Sequence, residues 1–467
     1  MSTSSLQEER HELEKRKDTR IYDVTAWSIP MAYNVECYQS KSSLNVKAEK
    51  VTEVKSISGN VINNKPAYGY VFESVSDQVP VALSKLLQAG FKVRVTKKAF
   101  KVEGIEFPNG GVLLRKSSNP TNLDDFISKL AQETGLSIYG VNTALSQMGP
   151  DLGGDEFHLL EMPKVGVFTG YPVNFSHYGF IWHLLDQKLK LRFSALDINR
   201  ANELDLDQYN LLVLPSLFGG VESYKHLLGK GGIEKLKNWI ENGGTLVTLG
   251  NASGFACDST VSISQVRIKE QVLNKLKDYE EALRLEERAT KPPVDSVEVW
   301  GTVTKKTPES KKTKESKNVS TKLDIKEEKE PSIEELTRKD EWERIFTPSG
   351  AFLRANLDTE HWLALGMSDK VPVIFSSPFA YMSKDPVETV ARLSKADSLR
   401  LGGLLWSEGK SRWAKTAYLT REGKGKGQVI LFADDPNFRA YLLGAQRLFE
   451  NAILLGPGLG ASVPTPW

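Results

Sequence analysis

The sequence predicts an α/β protein of two lobes, the second a doubly wound, mostly parallel sheet broken by a charged insertion. Three observations carry this. Short apolar runs alternate with amphipathic, glycine-bounded stretches, the pattern of strands and helices in turn. The runs NLLVLPSL (210–217) and TLVTL (245–249) are almost wholly apolar, as strands covered on both faces by helices must be. Between about 268 and 342 the composition changes to Lys, Glu, Ser and Thr, with almost nothing to bury.

Residues 1–21 are Ser-rich and then dense in Glu, Lys and Arg, which predicts a polar helix, and IYDVTAWSIPMAYNVECY (21–38) supplies aromatic and aliphatic side chains that must dock on something. The first lobe is assigned to 22–160. Within it AYGYVFE predicts a strand, SDQVPVALSKLLQAG a helix closed by Gly90, and FKVRVTKK a second strand. Pro108-Asn109-Gly110-Gly111 marks a turn, GGVLLRK a strand, NLDDFISKLAQETG a helix and LSIYGV a strand.

The second lobe opens over 161–267 with the strand KVGVFTG, the helical HYGFIWHLLDQK, the strand LRFSALD, the two apolar strands, and the helix GGIEKLKNWIENGG between them. Residues 268–342 are expected to be a disordered insertion whose leading part, KEQVLNKLKDYEEALRLEERATK, has the pattern of a solvated helix. Residues 343–457 complete the lobe, and 458–467 form a tail. GKGKG (423–427) precedes a strand instead of opening a helix, so it reads as a hairpin turn and not a phosphate loop.

The composition narrows the function classes. Lys plus Arg number 61 against 59 Asp plus Glu, a net charge of +2, too balanced to make nucleic acid the expected partner. No run approaches the ~20 apolar residues of a bilayer span. Two cysteines, Cys37 and Cys257, are too few for a disulfide framework or a four-thiolate metal site, and their pairing is left open.

Three phrases, IYDVTAWSIPMAYNVE (21–36), GGIEKLKNWIENGGTLVTLGNAS (231–253) and GKGQVILFADDPNFRAYLLGAQRLFENAI (425–453), together resemble the region downstream of the catalytic domain in large bacterial zinc carboxypeptidases of the carboxypeptidase A-like class. The resemblance implies that the second lobe has a class I glutamine amidotransferase-like fold. It also implies that the zinc site, a His-x-x-Glu with a later His and a general-base Glu, belongs upstream, so that no cofactor is expected here. The partners it implies are a zinc carboxypeptidase catalytic domain or a peptide substrate. Relatives of that kind are exported, whereas the first twenty residues hold no apolar signal core, so the compartment stays open.

His11 and Glu14 formally spell His-x-x-Glu but lie in a run of charges, which predicts a solvated face. An amidotransferase-like sheet would carry its nucleophile on the turn Leu249-Gly250-Asn251-Ala252-Ser253. No cysteine stands there, and Cys257 comes too late. Ser253 is the residual catalytic candidate, with His177 or His361 as its base; the alternative is that Asn251 and Ser253 cap a helix or tighten a turn. Asp434, Asp435 and Arg439 follow the strand QVILFA at the sheet edge where α/β folds place ligands. They are candidates for binding a peptide or sugar, against the simpler role of a helix cap. The sequence thus predicts an accessory module that is not itself a peptidase, with a hydrolase or transferase at Ser253 and a binding module at Asp435 as alternatives.

Overall fold

The computed structural model describes residues 2–21, 23–43, 45–47, 49–53, 58–289 and 331–461. Helix α1 (Thr3–Arg16) is capped by Ser2, whose side chain accepts from the Ser5 N–H. It lies against the fold through Arg10, which pairs with Glu408 at 2.7 Å and covers the Phe346 and Trp406 rings. The segment after it, with the short helix α2 (Ile29–Ala32), was expected to begin the first lobe. Instead Thr25 donates its N–H to the Ser349 and Gly350 carbonyls and accepts from the Leu404 N–H, so this stretch docks on the far end of the chain.

The first sheet is formed by β1 (Asn60–Ile62), β2 (Gly69–Phe72), β3 (Arg94–Thr96), β6 (Val112–Arg115), β7 (Ser137–Val141) and β8 (Phe157–Leu159), with a separate ribbon of β4 (Phe100–Val102) and β5 (Ile105–Phe107). Its order is β1-β7-β2-β6-β3-β8, and only β1 and β7 run parallel. Helices α3 (Val79–Gln88) and α4 (Leu123–Thr134) bury Leu83, Leu86, Ile127 and Leu130 in the main core. A smaller cluster around Phe100, Phe107 and Phe157 forms a second core, which includes Val71 of β2. Every residue of β2 is buried because apolar layers cover both of its faces.

The second sheet holds β9 (Val165–Thr169), β10 (Phe193–Asp197), β11 (Leu211–Leu214), β12 (Thr245–Leu249), β13 (Arg267–Ile268), β14 (Ala351–Leu357), β15 (Lys370–Phe375), β16 (Tyr381–Met382), β17 (Glu388–Leu393), β18 (Arg400–Gly402), β19 (Ala417–Lys424) and β20 (Gly427–Phe432). Along β10-β9-β11-β12-β20 all neighbours are parallel; from β20 through β19, β17, β14 and β15 all are antiparallel. The expectation of a mostly parallel sheet therefore covers one half of it. Hairpin pairing at Lys424 and Gly427 turns β19 straight back into β20, and this reverses the direction. Helices α5 (Phe175–Trp182), α6 (Val221–Glu241) and α7 (Asn251–Cys257) follow β9, β11 and β12.

Separation into two lobes is not seen in the packing. One apolar cluster runs from Tyr70 and Leu86 through Val213 and Val247 to Leu455. The helix Leu443–Leu459 joins the sheets, since its Arg447 donates to the Ser74 and Ser76 carbonyls and its Asn451 to the Leu363 and Leu365 carbonyls. Burying a leucine of this cluster is worth roughly 1.5–3 kcal/mol, so the joint is strong.

The insertion 268–342 is also corrected at its edges. Residues 290–330 lie outside the described residues, but helix α8 (Leu276–Ala289) buries Tyr279 and the helix Ile333–Ile345 buries Asp340 and Glu343. Asp340 is held there by Arg412, which is fully buried and reaches it at 3.1 Å. The tail assigned to 458–467 begins inside the last helix, and 462–467 lie outside the described residues. Cys37 is exposed and Cys257 buried, and both are free thiols.

Candidate functional site

Parallel strands deliver the loops after them to one edge of the sheet, where open α/β folds bind ligands. Here that edge gathers Asn174 and α5 after β9, Pro215–Gly220 after β11, Gly250 and α7 after β12, and Ala433–Asn437 after β20. The Asn174 side chain caps α5 by accepting from the Ser176 and His177 N–H groups. This cap fixes the first turn, and His177 Nδ1 then stands 2.8 Å from Asp435 Oδ2. The structure thus joins two of the predicted residues, His177 and Asp435, that are 258 positions apart in the chain.

Asp434 and Asp435 are fixed by backbone donors. Asp434 Oδ2 accepts from the N–H groups of Ser376 and Ser377, and its Oδ1 from that of Asp435; Asp435 Oδ1 accepts from the Asn437 N–H. Burial drives the Asp434 carboxyl above its ordinary range, and these backbone donors only partly offset it. For His177, burial opposes the charged ring, but the Asp435 carboxylate, with Asp434 behind it, outweighs burial and the net shift is upward.

The turn after β12 has the shape of a strand-to-helix elbow, with Gly250 at φ 57°, ψ −118°. Glycine leaves this apex without a side chain, and any other residue would be strained here. Positive φ disfavours any L-residue, and a Cβ here would lie 2.3 Å from Ser216 Oγ. Asn251 tightens the turn, accepting from the Leu217 N–H at 2.8 Å and donating to the Leu217 carbonyl at 2.6 Å. Ser253 is fully buried, and its hydroxyl is within 2.7 Å of the Phe432 carbonyl, 3.1 Å of the Thr248 carbonyl and 2.8 Å of Thr248 Oγ1. No histidine is among its hydrogen-bond partners. His361 caps a 3-10 turn, accepting from the Leu363 N–H, and its Nε2 stands 3.3 Å from Glu388.

Arg439, the third candidate at this edge, is engaged by residues other than the two aspartates. It is held by Asp23 at 2.9 Å and lies over the Trp27 and Phe438 rings. With Asp23, Arg344, Ser349, Ser376 and Phe438 it lines a cleft of about 720 Å³. His11 is exposed on α1, while Glu14 pairs with Arg10. Among the described residues no group of three or more His, Cys, Asp and Glu is placed to hold a metal ion.

Asn437 and Tyr418 escaped sequence reasoning. Asn437 is fully buried, yet neither Oδ1 nor Nδ2 has a hydrogen-bond partner among the described residues, and the same holds for the hydroxyl of buried Tyr418. Burial pushes the Tyr418 phenol far up, with the Asp434 and Asp435 carboxylates adding to it. Each such atom costs about 1–3 kcal/mol if nothing meets it. The motif DDPNF displayed Asn437, but only the fold reveals that its amide is sealed from solvent.

No protein-family model matches the chain, and no curated protein matches it. Solved structures with some likeness include a cytoplasmic protein of Salmonella typhimurium LT2 (9% identity, 62% of this chain and 99% of that one, TM-score 0.32). They also include a putative ThuA-like protein from Parabacteroides merdae ATCC 43184 (12% identity, 63% and 92%, TM-score 0.32) and a beta-galactosidase from Bacillus circulans sp. alkalophilus (10% identity, 81% and 48%, TM-score 0.30). No helix among the described residues is long and apolar enough to cross a membrane.

Proposed function

We propose that this chain is a non-catalytic accessory and interaction module, acting beside a zinc carboxypeptidase catalytic domain or on its peptide substrate. The observation that carries the reading is the elbow after β12. Its apex is Gly250, which carries no nucleophilic side chain, and the nearby Ser253 hydroxyl is spent on the Thr248 and Phe432 carbonyls. A hydrolase or transferase of the nucleophile-elbow type needs a side-chain oxygen or sulfur at that apex and a base within hydrogen-bond reach. The tie to zinc carboxypeptidases rests on the three sequence phrases alone, and zinc would belong to the partnering domain.

The reading is tested by assaying the purified chain against p-nitrophenyl esters and against glutamine hydrolysis, with Ser253→Ala as control. The expected result is background turnover from both proteins. Turnover above background that disappears in S253A would instead make Ser253 a nucleophile.

A further inference from the structure

We infer that the pocket of about 340 Å³ between α8, the helix Ile333–Ile345 and the antiparallel half of the second sheet binds a small amphipathic monoanion, a carboxylate carried on an apolar chain. It stands whether or not the chain partners a peptidase. Small-molecule sites run from about 300 to 1,000 Å³ and are mostly apolar, with a few placed polar groups that fix orientation. This pocket has both parts. On its apolar wall α8 sets Leu276, Tyr279 and Leu283 on one face at spacings of three and four, Leu336 faces them from the other helix, and Met382 of β16 adds to the lining. The three leucines are only half-buried, so apolar surface remains there for a ligand to cover.

The opposite wall carries charge, most of it already paired. Arg412 donates to Asp340, Glu270 and the Pro378 carbonyl, and Arg392 to Glu286 and the Lys415 carbonyl. Lys415 is paired with Glu287 at 3.0 Å. Lys269 differs. It lines the pocket with its side chain only 16% exposed, and its Nζ stands 3.8 Å from Glu343 and 3.9 Å from Asp340. Both distances exceed hydrogen-bond length, so the ammonium has no hydrogen-bond acceptor among the described residues.

The two acids nearest Lys269 are engaged elsewhere, Asp340 by Arg412 and Glu343 by the Ser411 hydroxyl at 2.8 Å. Within the network that joins them, Lys269, Lys339, Arg344 and Arg412 stand against Glu270, Asp340 and Glu343, one cation more than the acids neutralise. Glu280, the remaining acid on the lining, is exposed, where solvent and salt screen it. A largely buried ammonium with donors to give and one positive charge in excess selects an anion over an amine or a neutral alcohol. The leucine wall selects a hydrocarbon body over a bare inorganic ion.

The test is calorimetric titration of the full chain with octanoate and decanoate below their micellar concentrations, with acetate, octyltrimethylammonium and inorganic phosphate as comparators. At least one of the two fatty carboxylates is expected to saturate a single site and to bind at least tenfold more weakly in Lys269→Met, which keeps the stem and removes the charge. Leu283→Gln, a half-buried position on the outer helix, removes part of the apolar wall and is expected to weaken binding several-fold; it decides the matter if K269M does not fold. Binding of octyltrimethylammonium as tight as that of the carboxylates, saturation by acetate or phosphate alone, no saturation by any probe, or unchanged affinity in whichever of K269M and L283Q folds overturns the assignment.

Discussion

Replacing Asp340 with Asn tests whether the helix Ile333–Ile345 is stitched into the fold by charge. Arg412 is fully buried and Asp340 is 4% exposed; Arg412 Nε and Nη2 reach Asp340 Oδ1 and Oδ2 at 3.1 and 3.3 Å. The guanidinium also donates to Glu270 and to the Pro378 carbonyl, and it covers the Trp413 ring. Removing one partner of a buried ion pair costs about 3–5 kcal/mol, because the remaining charge is left in a poor solvent. Glu270 and the carbonyl keep part of the compensation, so about 3 kcal/mol is expected, roughly two orders of magnitude in the unfolding constant. Urea unfolding of D340N beside the parent measures it, with Glu156→Gln as a control, since its pair with Lys98 is exposed and should leave the midpoint unchanged. An unchanged midpoint in D340N would mean that the buried pair does not hold this helix, which would then be a loosely attached insertion.

Three further outcomes follow from the carboxyl edge. Gly250→Ala should cost about 1–3 kcal/mol in urea unfolding, since it joins positive φ to the clash with Ser216; a neutral result would show that the elbow relaxes freely. Ser253→Ala should lose about 1–2 kcal/mol by the same measurement, the worth of a buried hydroxyl with three close partners; no loss would mean that the hydroxyl is idle. His177 and Asp434 both have folded pKa values above their ordinary ones, so each contributes stability that is complete at low pH and is lost as pH rises. For Asp434 the loss begins near the ordinary carboxylate value, pH ~4, and ends at its raised value. For His177 it begins near pH ~6.5 and ends above its raised value, so His177→Asn should flatten the decline of stability on the alkaline side of ~6.5. An equally steep decline in that variant would show that the Asp435 contact does not hold the proton.

What was legible in the sequence was what local pattern and burial enforce. The apolar runs of β11 and β12 could only be buried strands, and Gly135 and Gly250 marked where a helix ends and a turn bends. The antiparallel half of the second sheet was hidden because strand direction depends on the connection, and the β19–β20 hairpin sits inside an otherwise strand-and-helix text. The single core was hidden for another reason: the helix Leu443–Leu459 is buried almost all round, and apolarity does not say which two sheets share it. At the site, Asp434 and Asp435 were visible as a motif, but the approach of His177 depends on α5 crossing the sheet edge. Asn437 and Tyr418 gave no signal, because an orphaned polar atom is a property of packing and not of residue order.

The proposed role has the chain serve a catalytic partner without performing the reaction itself. Its most direct test is zinc content and release of C-terminal residues from a mixed peptide library, measured together on the purified 467-residue chain with and without chelator. The expected result is no stoichiometric zinc and no chelator-sensitive release. Stoichiometric zinc together with trimming that the chelator abolishes would contradict it and make the chain a peptidase in its own right.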